Sequence, residues 1–208
     1  MADTADKPRK RKSTLREEQK KATRAKIEES ARTLFSARGY AAVTVDDIAA
    51  QVGCSRATFY LHFTAKVDVL LVLAERDMAP STLAVYRDLD RVLDTGSREE
   101  LTGWITRAIG WLQQNKDMLQ AWDEATVLEP DMQAVARHGM LALPNAMTTY
   151  LDRWPEDRRD EARLRVDLLL TQLERFFTRW AVQGTIDVTA ETAAEVLTDI
   201  WFPALSAP

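Results

Sequence analysis

Apolar residues recur every three or four positions along most of this 208-residue chain, and this spacing predicts helices. The strongest apolar stripes lie towards the carboxyl end, within residues 156–183 and after Thr189. No segment shows the two-residue alternation of a half-buried β-strand, and no internal repeat is found. The pattern therefore predicts an all-α fold.

Glycine, proline and polar residues interrupt the apolar pattern. The first helix is predicted to run from about Leu15 to Ala37 and to stop at Gly39, because glycine adopts a positive φ without strain. The polar run at residues 115–117, Asn-Lys-Asp, is predicted to end another helix. Pro144 is predicted to kink a later helix, since proline lacks the backbone N–H that a helix interior needs.

The stretch from Thr44 to Lys66 predicts two short helices joined by a tight turn. Thr44 and Asp47 have the spacing of a capping box, Gly53 supplies a helix stop, and Ser55 can cap the second helix. This arrangement is the form of a helix-turn-helix, whose second helix enters the major groove of DNA. Similar helix pairs occur in all-α proteins that never bind DNA, so the spacing alone leaves both interpretations open.

The charge of the chain is distributed unevenly. Residues 1–66 carry 14 Lys and Arg against 8 Asp and Glu, whereas residues 67–208 carry 14 against 24, which gives the overall net charge of −4. Five of the six residues 7–12 are basic. A basic end on an acidic body indicates a polyanionic partner for that end alone. The first 14 residues are either a solvated tail or an arm that lies along DNA phosphates or in a minor groove.

The run TVDDIAAQVGCSRATFYLHFTAKVDVL, preceded by a helix that ends in LFSARGY, resembles the TetR family of bacterial transcriptional regulators. The resemblance is specific over about Ala25 to Leu71, and the segments LERFF and DIWFPAL resemble the ethionamide-resistance branch more weakly. It implies a homodimer formed by the last two helices and a repressor released from DNA by a ligand. The helix after Lys66 would connect the motif to the ligand pocket.

The expected organisation has three parts. Residues 1–14 form a basic flexible arm, residues 15–66 a three-helix DNA-binding domain, and residues 67–208 a helical domain for ligand binding and dimerisation. The expected partners are a palindromic double-stranded operator, a second copy of the chain and a small effector.

Carried over position by position, the resemblance implies DNA contacts from nine residues: Thr44, Ser55, Arg56, Ala57, Thr58, Tyr60, Leu61, His62 and Lys66. Arg56 can bond guanine O6 and N7 or clamp a phosphate, and Ala57 and Leu61 can touch thymine methyl groups. Tyr60 can bond a phosphate through its hydroxyl, while Lys66 either meets a phosphate or points into solvent. Ala57 stands where the family often has glycine, and Leu61 where a polar or aromatic residue is common, so the operator sequence is left open.

The carboxyl-terminal part is rich in tryptophan and methionine, which are bulky and adaptable side chains. Most of them are expected to be core, and some to line a pocket for a largely apolar or aromatic ligand. The predicted ligand-binding residues are Trp104, Ala108, Trp111, Trp122, Met147, Tyr150, Gln172, Leu173, Phe176 and Trp201. A regulator controlled by a protein partner, or one without an effector, is the alternative.

Other functional classes find little support in the sequence. His62 and His138 are the two histidines, and neither has the spacing of a metal ligand or a catalytic base. No glycine-rich phosphate loop is present, so neither an enzyme nor a metal or cofactor is predicted. The lone Cys54, the absence of an apolar leader and the absence of a bilayer-spanning run fit a cytoplasmic protein.

Overall fold

The computed structural model describes the backbone of residues 7–206, and the side chains of residues 15–137 and 143–206. The described residues contain helices and no strand, which confirms the all-α prediction. Ten α-helices follow one another: α1 (Lys7–Arg38), α2 (Val45–Val52), α3 (Arg56–Tyr60), α4 (Lys66–Leu73), α5 (Ala79–Thr95), α6 (Arg98–Leu128), α7 (Pro130–Ala142), α8 (Thr148–Asp152), α9 (Arg159–Phe177) and α10 (Ala190–Ala204). Short π-helical turns, Ala74–Met78 and Thr178–Val182, follow α4 and α9.

Three helix boundaries differ from the sequence predictions. Helix α1 begins at Lys7, so residues 7–14 of the expected flexible arm continue α1, and residues 1–6 lie outside the described residues. Helix α6 passes through residues 115–117 without a break, because the Asn115 side chain donates to the Trp111 carbonyl at 2.8 Å instead of competing with the helix. At Pro144 the chain forms a 3-10 turn, Pro144–Ala146, so α7 and α8 are separate helices and not one kinked helix.

Two hydrophobic cores lie along the chain, and α6 contributes to both. The first half of α6 packs with α5, α8, α9 and α10 through residues such as Leu101, Trp104 and Ile105. Its second half packs on α1 to α4 through Met118, Ala121 and Ala125. Helix α4 shares this second core, so the amino-terminal unit is held directly against the end of α6. The domain boundaries expected from the sequence, after residues 14 and 66, stay a prediction.

Candidate nucleic-acid interface

The start of α2 is fixed by hydrogen bonds between Thr44 and Asp47. The Thr44 hydroxyl accepts the backbone N–H of Asp47 at 3.2 Å, and the Thr44 N–H donates to Asp47 Oδ2 at 2.8 Å. The Thr44 hydroxyl also donates to the same carboxylate oxygen at 2.6 Å. These bonds, together with Arg38, lower the pKa of Asp47 to about 2. The capping box predicted from sequence is therefore present.

The turn between α2 and α3 has the geometry that a helix-turn-helix requires. Gly53 ends α2 with a φ of 75°, and the N–H of Cys54 donates to the Ala49 carbonyl at 2.9 Å. Ser55 then caps α3, since its hydroxyl accepts the backbone N–H of Thr58 at 3.1 Å. All these bonds join residues at most five positions apart, so the sequence fixes the turn locally.

Helix α3 has one buried side and one side open to solvent. Phe59 and Phe63 are buried in the core of the amino-terminal unit. Tyr60 is 47% exposed, and Leu61, just after the helix, is 75% exposed. Ser55, Arg56 and Ala57 are also exposed, and Thr58 is partly buried. Most of the α3 residues expected to contact DNA thus form one surface that is accessible to solvent.

Arg56 is held across the turn by partners on both helices. Its Nη1 donates to Asp46 Oδ2 at 3.2 Å, and its Nε lies 3.1 Å from Asp46 Oδ1. Its Nη2 donates to the Tyr60 hydroxyl at 3.4 Å. The guanidinium is therefore oriented at the outer surface without being buried. Sequence reasoning did not find the Asp46 contact, since ten residues separate the pair and only the turn brings them together.

Two of the residues expected to contact DNA face inward. Lys66 Nζ donates to the carbonyls of Tyr40 and Val43, both at 2.8 Å, and lies 4.0 Å from the centre of the Tyr40 ring. Burial lowers its pKa. Its ammonium therefore ties α4 to the loop before α2, which differs from both the phosphate contact and the solvent exposure considered from sequence.

His62 is also partly withdrawn from the surface. Its Nδ1 is buried and has no hydrogen-bond partner among the described residues. Burial, followed by the charges of Lys20 and Arg24, lowers its pKa. Arg24 of α1 donates to the His62 carbonyl at 3.0 Å and lies 4.1 Å above the Phe63 ring. This link between α1 and the end of α3 was not anticipated, because 38 residues separate Arg24 from His62.

Residues 27–73 match the family described as bacterial regulatory proteins, tetR family. These residues form a TetR-family DNA-binding domain. Such a domain agrees with the prediction that the chain is a regulator and not an enzyme. Because the match coincides with α2, α3, α4 and the last twelve residues of α1, it identifies the amino-terminal unit as the family's helix-turn-helix domain.

Two curated relatives are similar over a limited part of the chain. The HTH-type transcriptional regulator EthR of Mycobacterium tuberculosis is 45% identical over 60 residues, which are 26% of this chain and 28% of that protein. The HTH-type transcriptional regulator YerO of Bacillus subtilis is 45% identical over 42 residues, 20% of this chain and 14% of YerO. The matched region thus spans less than a third of either relative.

Solved structures resemble the whole fold. A TetR-family regulator from Mesorhizobium loti superposes with a TM-score of 0.59 at 16% identity, covering 89% of this chain and 96% of the other. A TetR-like regulator from Rhodococcus sp. RHA1 gives a TM-score of 0.55 at 20% identity, with coverage of 88% and 95%. At these identities the likeness establishes the fold alone.

The residues predicted to bind a ligand divide between the two hydrophobic cores of the chain. Trp104 and Trp201 are buried with their ring centres 5.8 Å apart, and Trp201 Nε1 donates to the exposed Gln172 at 3.2 Å. The others in this carboxyl-terminal core are Ala108, Met147, Tyr150 and Leu173, which are buried, and Trp111 and Phe176, which are partly buried. Trp122 instead packs on the amino-terminal core. The ligand-binding role of the set stays a prediction.

A surface groove of about 190 Å³ lies elsewhere, where the ends of α5, α8 and α10 meet the start of α6. Its lining residues are Val92, Leu93, Gly96, Ser97, Leu101, Arg153, Phe202, Leu205 and Ser206. None of the ten predicted ligand-binding residues is among them.

The capping box gives a pH-dependent prediction. Asp47 has its pKa lowered in the folded chain from 3.8 to about 2, so the ionised carboxylate stabilises the fold above pH 4, and this contribution is lost as the pH falls towards 2. We expect Asp47→Asn to lower the melting temperature at pH 6, and the difference from the native chain to close by pH 2. Thermal melts followed by circular dichroism between pH 2 and pH 6 measure this difference in melting temperature. Asp94→Asn, at an exposed position, is the control. A difference that stays constant down to pH 2 would contradict the assignment.

Proposed function

We propose that this chain is a homodimeric, DNA-binding transcriptional repressor, released from a palindromic operator by a small, largely apolar or aromatic ligand. The observation that carries the proposal is the capped helix-turn-helix, with an accessible α3 surface, inside the region that matches the family. The excess of basic residues in this amino-terminal part supports a polyanionic partner.

In this proposal α3 enters the major groove. Arg56 bonds guanine O6 and N7, and Ala57 and Leu61 contact thymine methyl groups. Ser55, Thr58 and Tyr60 stand beside the base-reading residues and position the helix on the phosphates. Thr44 is exposed at the start of α2 and would lie beside the same strand.

Exposed basic residues on α1 extend this surface. Lys20 and Lys21 are both exposed, and α1 continues back to Lys7 through a basic sequence. We propose that this helix contacts phosphates and raises affinity for DNA of any sequence.

Dimerisation through the last two helices is supported by apolar side chains exposed on both. Leu164 and Leu168 of α9 are 55% and 61% exposed, and Val196 and Ile200 of α10 are 52% and 44% exposed. Each pair is spaced four residues apart and so lies on one helix face. A second copy of the chain would cover these faces and set the two α3 helices about 34–36 Å apart, the spacing of successive major grooves.

We expect Leu168→Asp to convert the dimer to a monomer, because a carboxylate would be desolvated in the apolar contact. Sedimentation velocity at micromolar concentration measures the change, and affinity for a palindromic site should fall at least about ten-fold with it. Val127→Asp is the matched control, since Val127 is 80% exposed on α6. A Leu168→Asp chain that still sediments as a dimer would rule out this interface.

Ligand binding is proposed to act on DNA affinity through α4 and α6. Helix α4 continues directly from the motif, and the end of α6 contacts the loop before α2. There the Tyr40 hydroxyl donates to Glu129 at 2.5 Å, and the Ala41 N–H donates to Glu124 at 2.9 Å. A ligand that favours a different position of these helices weakens DNA binding by its differential affinity for the two states.

Selection of binding sites from random duplex DNA tests the proposal. The expected product is a palindrome whose half-sites lie one helical turn apart. Addition of apolar compounds should then release the selected DNA. Failure to enrich any sequence at low ionic strength would contradict DNA reading, whereas enrichment without release by any compound would favour a regulator that lacks a small effector.

A further inference from the structure

Glu28 of α1 and Asp90 of α5 are the two charged residues that are buried in the described part of the chain. Asp90 accepts the backbone N–H groups of Thr149 and Tyr150 and so caps the start of α8, which is a structural role. Glu28 instead faces two arginines from different parts of the amino-terminal unit. A buried carboxylate depends on such partners, because loss of one leaves a charge that is costly to desolvate.

The two oxygens of Glu28 are divided between these arginines. Arg24, one turn earlier on α1, places its Nε 3.1 Å from Oε1. Arg76 donates from Nη1 to Oε2 at 2.7 Å. Arg76 belongs to the π-helical turn Ala74–Met78, which joins α4 to α5 and is called the π turn below. One carboxylate thus connects α1 with the π turn.

Arg24 continues this connection to the end of α3. Its Nη1 donates to the His62 carbonyl at 3.0 Å, and its guanidinium lies 4.1 Å above the Phe63 ring. Both residues follow α3 within three positions. A planar guanidinium can make all these contacts at once, but only in one orientation. Glu28 therefore helps to decide where Arg24 points, and Arg24 holds the end of α3 against α1.

The π turn is held near α1 by a second arginine. Asp77 of the turn accepts from Arg76 Nε at 2.9 Å and also pairs with Arg32 of α1. Arg76 bonds Glu28 as well, whereas no bond between Arg32 and Glu28 is found among the described residues. Turns of π-helix interrupt the regular helical hydrogen bonds and often mark functional positions. A shift of this turn would act on Glu28 through Arg76.

We propose that Glu28 is a positioning residue for DNA reading, which sets the position of α3 according to where the π turn lies. With Arg76 in place, the carboxylate has two partners, and Arg24 keeps the orientation that bonds His62. When the π turn moves away, Arg24 must compensate the carboxylate alone and is drawn from α3. The inference rests on the proposed function, because it names the residues through which a movement of α4 reaches the recognition helix.

Hydrogen exchange of the full-length chain tests this link without DNA. Mass spectrometry follows residues 56–63, which cover α3 and its end, and residues 45–52 of α2. Glu28→Gln keeps the size of the side chain and removes its charge. We expect residues 56–63 to exchange at least about three-fold faster, with residues 45–52 unchanged. Unchanged exchange at residues 56–63, or an equal rise in both segments, would overturn the positioning role.

Arg76→Met and Arg32→Met are a matched pair, because each removes one arginine from Asp77. Arg76→Met should speed exchange of residues 56–63 at least about three-fold, although none of the bonds found for Arg76 within the described residues goes to α3. Arg32→Met should leave that exchange unchanged. In a Glu28→Gln chain, Arg76→Met should add no further effect, because the connection passes through this carboxylate. Equal effects of the two arginine variants, or additive effects of Arg76→Met and Glu28→Gln, would overturn the coupling.

Fluorescence anisotropy on the selected operator then tests the consequence for DNA. Glu28→Gln and Arg76→Met should each lower operator affinity about 2- to 30-fold, and Arg32→Met much less, because a helix that is already held in place loses less freedom on binding. Faster exchange of α3 with unchanged operator affinity would overturn the role in DNA reading. If the native chain prefers no DNA sequence, the proposed function fails, while hydrogen exchange still decides the link from the π turn to α3.

Discussion

Replacing Lys66 by Ala is expected to lower the free energy of unfolding by about 2–3 kcal/mol. The substitution removes charge-assisted hydrogen bonds to the Tyr40 and Val43 carbonyls, each 2.8 Å long, and the contact with the Tyr40 ring. A bond to a charged group contributes about 1.5–3 kcal/mol, and the desolvation that lowers the pKa of Lys66 offsets part of the gain. Urea unfolding followed by circular dichroism measures the loss.

The matched control is Lys26→Ala, because Lys26 is an exposed lysine on α1. We expect it to change stability by less than about 0.5 kcal/mol. Well below its melting temperature, Lys66→Ala should bind DNA with the salt dependence of the native chain. If Lys66→Ala instead keeps the native stability, and the slope of log DNA affinity against log salt concentration falls by about one, then Lys66 contacts a phosphate as first expected.

Replacing Arg56 by Ala is expected to lower affinity for the selected operator by about 5- to 150-fold, which corresponds to the roughly 1–3 kcal/mol of one bidentate base contact. Affinity for scrambled duplex DNA should fall much less, so the variant loses base preference. Stability should stay nearly unchanged, because the Arg56–Asp46 pair is 59% and 61% exposed and such pairs contribute little. Fluorescence anisotropy on the two duplexes separates the effects.

Arg91→Ala is the control for the loss of one arginine, since Arg91 is an exposed residue of α5, outside the motif, that is paired with Asp88. It should leave both DNA affinities unchanged. If Arg56→Ala weakens operator and scrambled DNA equally, Arg56 clamps a phosphate and does not read a base.

The difference between these two basic residues shows what residue type alone could not predict. Both lie in the motif, and the sequence assigned both to DNA. The structure leaves Arg56 at the surface, whereas it turns Lys66 towards the carbonyls of a loop more than twenty residues earlier. A side chain's surroundings depend on which distant backbone packs beside it, and helical spacing carries no information about that.

The same limit applies to the carboxyl-terminal half. Tryptophan and methionine content predicted a set of ligand-binding residues, yet the structure separates Trp122 from Trp104 and Trp201 by placing it on the other core.

By itself the sequence determined the helical fold and the detailed form of the helix-turn-helix. The bonds that fix Thr44, Gly53 and Ser55 join residues within five positions, so local chemistry is sufficient. Only the tertiary structure decided how α6 joins the two cores and which charged side chains are paired. Those contacts link residues from ten to nearly ninety positions apart, and local sequence does not determine them.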